Sequence, residues 1–319
     1  MILVTGAAGF IGINTVLSLN QKGIKDLILV DHFELNEKNK KLELFEYHSS
    51  LSISECESLL DNNSDLNIEL VIHLGAITDT TCEDSKLLNK LNVNFSKKIW
   101  HYCTESNIKL IYASSAATYG MGDQGFDDNE TEIDKLKPLN KYGKSKNDFD
   151  FWALNQSKSP SSWVGLKFFN VYGPYEDNKG KMASVVHWGL RKIHSEKKMN
   201  LFKSLNADFK DGYQTRDFIF VGDVVNIILF FKDNTFTGIY NVGTGNPQPF
   251  LVLAETLFDS LKIPRDINYI DMPEALTDIY QYYTSANIDK LRSLGYNKKF
   301  TSLKDGIDIC KNYFLDTIK

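Results

Sequence analysis

The sequence predicts an α/β fold with a doubly wound parallel sheet, joined to a smaller α/β region toward the C-terminus. Three observations support this prediction. Short apolar runs alternate with longer helical patterns through the first half of the 319-residue chain. After about residue 172, Gly-Pro and Asp-Gly pairs break this rhythm into loops and short elements. Strand and helix patterns then return near residues 217–245.

Five β-branched runs are predicted to be buried strands, because parallel strands covered on both faces are apolar along their whole length. They lie at residues 2–4, 27–30, 70–74, 110–113 and 163–168. The stretches between them that are long and periodic enough to be crossover helices are residues 12–21, 84–106 and 144–156.

The later return of regular patterns indicates how the chain is divided. Residues 217–231 and 239–242 read as a strand, a helix and a strand that rejoin the first domain. We therefore predict a first domain at residues 1–170 with return segments near 217–245. The remaining residues, 171–319, mainly form a second, smaller domain.

Composition excludes several classes of function. The chain has 36 Lys and Arg against 41 Asp and Glu, for a net charge of −5, and it has no basic block of the kind that binds nucleic acid. Its longest apolar run, residues 224–231, is far below the roughly 20 residues that cross a bilayer. With no export signal and four cysteines outside any metal-binding spacing, we expect a cytoplasmic protein with reduced thiols and no metal.

A glycine-rich turn between the first strand and the first helix predicts a dinucleotide-binding Rossmann fold. Gly6 permits the tight turn, Gly9 the close approach of a phosphate, and Gly12 the packing of helix on strand. Asp31 ends the second strand about 20 residues later, where a carboxylate can accept both hydroxyls of the adenosine ribose. Asp31 disfavours a 2′-phosphate, yet Lys38 can neutralise that carboxylate, so these residues leave NAD and NADP both open.

A second motif supplies acid–base chemistry. Tyr142 and Lys146 are four residues apart at the start of a predicted helix, so the phenol and the ammonium share one face. A free phenol titrates near 10, and the lysine charge lowers that value toward neutrality. Ser115 follows the strand that begins near residue 110, at the carboxyl edge of the sheet, where its hydroxyl can polarise a substrate oxygen.

Together these motifs resemble the extended short-chain dehydrogenase/reductase family, in which sugar-nucleotide epimerases and dehydratases are frequent. The resemblance covers nearly the whole chain and includes residues 112–120, 137–140, 170–174, 179–185, 216–218, 221–223, 241–245, 280–281 and 294–296. With it, the predicted cofactor contacts are Gly6, Gly9, Phe10, Ile11, Gly12, Asp31, His32, Lys38, Leu74, Gly75, Ala76, Asn92, Lys146 and Val171.

The resemblance implies a redox-neutral epimerisation at C6″ of an ADP-linked heptose, for lipopolysaccharide core synthesis. NADP⁺ would remove a hydride, and the hydride would return to the other face of the transient ketone. Because protons must move on both sides of the carbon, the family pairs the tyrosine with a lysine, here Lys179. The implied substrate contacts are Asn170, Lys181, Trp188, Phe202, Arg216 and Tyr280. The resemblance also implies a homo-oligomer, a homopentamer in the family.

Four departures from the family pattern bear on the substrate. Lys181 stands where the family usually has Ser, Trp188 takes the place of a histidine, Leu74 replaces a common Glu, and residues 211–214 add length. The alternatives are therefore an epimerase or reductase of another nucleotide sugar, such as a GDP-heptose, and a non-catalytic NADP(H)-binding protein.

Overall fold

The computed structural model describes residues 1–62, 66–277 and 280–318. Its β-strands are β1 (Ile2–Thr5), β2 (Leu27–Val30), β3 (Ser49–Leu51), β4 (Leu70–His73), β5 (Lys109–Ser115), β6 (Trp163–Phe168), β7 (Asn170–Tyr172), β8 (Met199–Phe202), β9 (Thr215–Arg216), β10 (Phe218–Phe220), β11 (Gly238–Val242), β12 (Gln248–Pro249) and β13 (Ile267–Ile270).

The α-helices are α1 (Phe10–Gln21), α2 (Asn36–Asn39), α3 (Ile53–Asp61), α4 (Ser85–Leu88), α5 (Phe95–Glu105), α6 (Lys141–Leu154), α7 (Val185–Glu196), α8 (Val221–Asp233), α9 (Phe250–Leu261), α10 (Glu274–Thr277), α11 (Asp289–Ser293) and α12 (Leu303–Thr317). A π-helical turn, Asn89–Asn94, joins α4 to α5. Short 3₁₀ helices occur at Lys40–Leu44, Ala116–Tyr119, Glu130–Lys135 and Asp177–Met182.

Within the described ranges, seven parallel strands form the main sheet in the order β11-β6-β5-β4-β1-β2-β3. One face packs against α1 and α8, and the other against α3, α5 and α6, around two separate apolar clusters. Every residue of β1, β2, β4 and β6 is buried, as expected for strands covered on both sides. The predicted doubly wound α/β fold is confirmed.

The structure differs from the sequence prediction at four elements. Strand β3 and helix α3 lie in a stretch without a prediction, because Ser49–Leu51 contains a single apolar residue. Helix α6 starts three residues earlier than predicted, where Asn140 caps it by accepting a hydrogen bond from the Gly143 amide at 2.7 Å. Strand β10 pairs with β7 instead of the main sheet, whereas β11 does join that sheet beside β6.

The C-terminal part has its own core. Helices α7, α9 and α12 pack together with β8 around buried side chains that include Leu190, Leu253, Phe258 and Phe314. Among the described residues, no helix combines the length and apolar character needed to span a membrane.

Candidate active site

A cavity of about 840 Å³ opens at the carboxyl edge of the main sheet. It lies beside β1 and β4, where the strand order changes direction. Open α/β sheets bind their ligands at such a point, because neighbouring loops diverge there and leave a crevice. The lining comes from the glycine turn, the loop after β4, the start of α6 and the segment from Val171 to Met182.

The glycine turn forms a floor of bare backbone. Gly6 has φ of +69°, and a Cβ there would lie 2.6 Å from the Gly75 amide nitrogen. A Cβ on Gly12 would overlap the Gly6 carbonyl. Helix α1 begins after Gly9 with no side-chain cap and no acidic residue in its first turn. Its free N–H groups therefore suit the pyrophosphate of a dinucleotide, so these residues fit the cofactor predicted from the sequence.

Asp31 connects the floor to the far end of the cavity. One carboxylate oxygen accepts a hydrogen bond from the Ala8 amide at 2.9 Å, and the other accepts from Lys38 Nζ at 2.5 Å and from the His32 amide at 2.8 Å. Asp31 is buried, while Lys38 is about one-quarter exposed. The Lys38 ammonium thus compensates the carboxylate and faces the same cavity, which His32 also lines.

The loop after β4 passes the floor at residues Leu74, Gly75 and Ala76, all of which line the cavity. Asn92 positions this loop: its side chain accepts from the Ile77 amide at 2.8 Å and donates to the Ile77 carbonyl at 3.0 Å. Asn92 is fully buried and is not among the residues that line the cavity, so the structure shows it supporting the loop, and its contact with the cofactor stays a prediction.

Tyr142, Ser115 and Lys146 come together at the inner wall of the cavity. The Ser115 side chain lies close enough to the Tyr142 phenol to lower the pKa of that phenol. Ser115 also accepts a hydrogen bond from the Ala117 amide at 3.1 Å, which fixes its rotamer at the end of β5. Lys146 follows Tyr142 by one helical turn and is almost fully buried.

Burial has the largest effect on the pKa values of Tyr142 and Lys146, which both lie on α6. It raises the pKa of the Tyr142 phenol, an effect that the hydrogen bond to Ser115 reduces and the Asp150 carboxylate reinforces. Burial also lowers the pKa of Lys146 to about 8, and Asp150 opposes that shift. Without a cofactor, Tyr142 is therefore a protonated phenol at neutral pH, and the positive charges of Lys146 and of a bound nicotinamide are what would lower its pKa.

Lys179 lines the cavity from a different element, the 3₁₀ helix Asp177–Met182. Its ammonium lies 3.8 Å from Glu176 and 4.9 Å from the centre of the Phe10 ring. Burial lowers the pKa of Lys179, and Glu176 opposes the shift. Glu176 in turn accepts hydrogen bonds from the Gly173 amide and from Ser184, so the loop that carries Lys179 is held at its base.

Three of the predicted substrate contacts form a second cluster, and none of the three is among the residues that line the cavity. The Arg216 guanidinium lies between Phe250 and Tyr280, 5.5 and 5.3 Å from the ring centres. Phe202 packs edge-on against Tyr280 with ring centres 6.2 Å apart. Arg216 is buried, and the hydrogen bond from its side chain goes to the Thr215 carbonyl at 3.0 Å. This geometry leaves most of its N–H donors available for an anion.

The other predicted substrate contacts are placed separately. Lys181 lines the cavity from the same 3₁₀ helix as Lys179. Asn170 is exposed at the start of β7, and its amide donates to the Asp217 carbonyl at 3.1 Å, directly beside Arg216. Trp188 is half exposed on α7, outside the cavity lining among the described residues. The structure therefore brings Phe202, Arg216 and Tyr280 together, whereas Trp188 is not among the described residues that line the cavity.

Some cavity residues had no sequence prediction. Ile77, Thr78, Asp79 and Thr81 line it from the loop after β4, and Tyr175 lines it from the loop after β7. The rule that loops at the carboxyl edge surround the ligand was sufficient to indicate the first four. Tyr175 has φ of +71°, a conformation that no pattern in the sequence predicts.

Comparison with known proteins agrees with this geometry. The sequence model of the NAD dependent epimerase/dehydratase family matches residues 2–243. The chain therefore belongs to the NAD dependent epimerase/dehydratase family, and the resemblance found in the sequence is confirmed. The description of the family states that its epimerases and dehydratases depend on NAD.

Three individual proteins can be compared with the chain directly. A protein of Fusobacterium nucleatum named ADP-L-glycero-D-manno-heptose-6-epimerase is 45% identical over 98% of both chains. The Helicobacter pylori enzyme of the same name has a crystal structure with a TM-score of 0.81 and 27% identity, covering 98% of this chain and 96% of its own. The UDP-glucose 4-epimerase of Thermotoga maritima, solved with UDP-glucose, reaches a TM-score of 0.80 at 26% identity, covering 100% and 99%.

Proposed function

We propose that this protein epimerises ADP-D-glycero-D-manno-heptose at C6″ to the L-glycero form, with NADP as its cofactor. The observation that carries the proposal is a single cavity, with the glycine turn as its floor, that is lined by Ser115, Tyr142, Lys146 and Lys179. Full-length relatives that bear the ADP-heptose epimerase name support the choice of substrate.

Tyr142 is the first acid–base group. When bound, the nicotinamide ring would accept a hydride from C6″ and give it back. Tyr142, as the phenolate, takes the proton of the C6″ hydroxyl as the hydride leaves, so the alcohol becomes a ketone without a change in net charge. Ser115 donates a hydrogen bond to the same oxygen, and Lys146 stabilises the phenolate by its charge.

Lys179 is the second acid–base group. For the opposite configuration to form, the hydride must return to the other face of the ketone, and the oxygen then lies on a different side of the reacting carbon. A proton donor is needed there, and Lys179 lies on a separate loop of the same cavity. Because burial lowers its pKa, this lysine gives up and regains a proton more readily near neutrality than an exposed one.

Arg216 and its aromatic neighbours are proposed to hold the nucleotide portion of the substrate. A buried guanidinium with free donors binds a diphosphate in several hydrogen bonds at once. Phe202 and Tyr280 border it and are suited to pack against the base or the sugar. Asn170, Lys181 and Trp188 are proposed to contact the heptose side.

The preference for NADP is proposed from the Asp31–Lys38 pair. Lys38 offsets the carboxylate that would repel a 2′-phosphate, and it faces the cavity at that end. We further propose that the enzyme acts in the cytoplasm as a homopentamer, in the synthesis of the lipopolysaccharide core. The pentamer follows from the family resemblance described above.

The test is incubation of the purified protein with ADP-D-glycero-D-manno-heptose, without added reductant or oxidant. The L-glycero epimer should form, as followed by nuclear magnetic resonance at C6″, and denatured protein should release NADP by mass. If a GDP-linked heptose or a UDP-hexose is turned over instead, the substrate assignment is wrong. Release of NADP without turnover of any nucleotide sugar supports a non-catalytic binding protein.

Lys179→Met tests the two-sided acid–base chemistry. The variant should lose at least about 100-fold in kcat, the usual contribution of a positioned acid or base, while NADP affinity stays the same. Lys198→Met is the matched control, since that lysine is half exposed and lies against Glu196 on the surface. Equal epimerisation by both variants removes Lys179 from the mechanism.

A further inference from the structure

A buried ion pair lies next to the catalytic group, which consists of Ser115, Tyr142 and Lys146, and the mechanism above does not use it. Asp150 and Lys167 approach to 3.4 Å, and neither side chain is more than 1% exposed. Removing two charges from water costs about as much as their attraction returns, so such a pair is weak evidence for stability. The hydrogen bonds of the two residues indicate a role other than stability.

Asp150 holds the strand that ends at Ser115. Its carboxylate accepts hydrogen bonds from Ser114 Oγ at 2.6 Å and from the Tyr112 hydroxyl at 3.0 Å. Both donors belong to β5, and Ser114 immediately precedes Ser115. The carboxylate therefore ties α6, which carries Tyr142, to the end of β5.

Lys167 holds Ser115 from the other side. Its ammonium donates to Thr118 Oγ1 at 2.7 Å, and the Thr118 hydroxyl donates to the Ser115 carbonyl at 2.8 Å. The ammonium also lies 4.7 Å from the centre of the Tyr119 ring. Asp150 thus holds Ser115 through the hydroxyl of the preceding residue, Ser114. Lys167 holds it through Thr118, whose hydroxyl donates to the Ser115 carbonyl.

The pair also acts on the charge of Lys146. The titratable and charged groups around this lysine are His73 on β4, Tyr142 and Asp150 on α6, and Lys179 and Lys181 across the cavity. Burial lowers the pKa of His73 to about 3, so its ring is neutral, and it lies between Thr5 and Ser96. Among these groups, Asp150 provides the negative charge that favours the ammonium form of Lys146.

We propose that Asp150, balanced by Lys167, is a positioning residue that fixes Ser115 and keeps Lys146 cationic. The inference rests on the catalytic and cofactor roles proposed for those two residues. Asp150 touches neither substrate nor cofactor, because it is fully buried. Lys167 supplies the opposite charge that a buried carboxylate needs, because an unpaired charge in the interior is costly.

The main test is Asp150→Asn, which keeps the shape and one acceptor oxygen but removes the charge. We expect kcat to fall at least about tenfold, with KM for the nucleotide sugar within about twofold. The affinity for NADP should decline with rising pH at a midpoint about one unit lower than in the wild type, because an opposite charge at short range shifts a pKa by about one unit or more.

Two further variants keep the test decisive if Asp150→Asn is unstable. Asp150→Asn/Lys167→Met leaves no unpaired buried charge and should show the same lowered midpoint. Ser114→Ala removes one hydroxyl only and should lower kcat severalfold with an unchanged midpoint. Asp223→Asn is the matched control: this buried carboxylate on α8 accepts from the Thr301 amide at 2.7 Å, and its loss should change stability alone.

The outcomes separate the two proposals. If the wild type epimerises ADP-heptose and all three variants match it in kcat and in midpoint, the positioning role is refuted. If the wild type turns over no ADP-heptose, the proposed function fails, while the pH dependence of NADP binding still decides whether Asp150 sets the charge of Lys146.

Discussion

The cavity at the sheet edge and the Arg216 cluster are held in different ways. Around the cavity, functional side chains are fixed by hydrogen bonds: Asp31 has three such partners, and Ser115 is secured by its neighbours. In the cluster, Arg216 is held mainly by two aromatic rings and forms a hydrogen bond to one backbone carbonyl. The cavity is therefore organised before a ligand binds, whereas most of the hydrogen-bond donors of Arg216 remain available for the ligand.

From this difference we expect the cavity to determine mainly the rate of the reaction and the Arg216 cluster to determine mainly the affinity for the substrate. A preorganised site contributes most to the rate, because its groups do not have to reorganise during the reaction. A cation with unused donors contributes most to binding, since its hydrogen bonds form only with the anion in place. Substitutions in the two regions should therefore change different kinetic constants.

The largest effect is expected for Tyr142→Phe. Loss of the phenolic oxygen removes the first acid–base group, and kcat should fall by about 10²- to 10⁴-fold. The ring still fills its place, so the Kd of NADP, measured by calorimetry, should stay within about twofold. Unchanged kcat would remove Tyr142 from the chemistry and would break the contrast between the two regions.

Arg216→Lys should act on binding. The variant keeps a positive charge but loses the planar fork of donors, so KM for the nucleotide sugar should rise by about 10- to 100-fold. The expected kcat is near the wild-type value, and NADP affinity should be unaffected. A drop in kcat equal to the loss in kcat/KM would instead show that Arg216 acts in the transition state.

Lys38→Met tests the far end of the cavity. The substitution removes a cation and leaves the Asp31 carboxylate uncompensated, so NADP should bind about tenfold more weakly, while NAD binding should change by less than about twofold. Lys25→Met is a matched control, because Lys25 forms a surface ion pair with Glu46. Equal losses for NAD and NADP would show that Lys38 does not read the 2′-phosphate.

The smallest effect concerns pH. The pKa of Lys146 is about 8, so its ammonium predominates below that pH and is lost as pH rises through it. Affinity for NADP should weaken about threefold between pH 7 and pH 9, by loss of a favourable charge. Lys146→Met should abolish this dependence. Lys144→Met should preserve it, since Lys144 is exposed and paired with Asp148.

The two regions also differ in how far the sequence predicts them. The glycine turn, Asp31 and the Tyr142/Lys146 pair are local motifs, and local spacing places them correctly on strand ends and helix starts. Phe202, Arg216 and Tyr280 come from three distant segments, so resemblance alone predicted that they share a site. No spacing rule brings such residues together.

Sequence patterns carry least information about the roles of buried polar residues. Asn92 was predicted to contact the cofactor, yet its amide is used by the Ile77 backbone. The sequence gives no signal for the Asp150–Lys167 pair, because a charged residue inside an apolar pattern does not identify its partner. Strand β3 was missed because its two serines hide it. The predicted division near residue 170 stays a prediction.

The late position of β11 in the sequence determines when the main sheet can be completed during synthesis. The outer strand of the main sheet beside β6 is formed by Gly238–Val242, more than 65 residues after β6 ends. Until that segment leaves the ribosome, β6 has an unpaired edge, and all six of its residues belong to the interior. The sheet can therefore be completed only after later synthesis, and we expect a fragment ending at residue 170 to aggregate through that open edge.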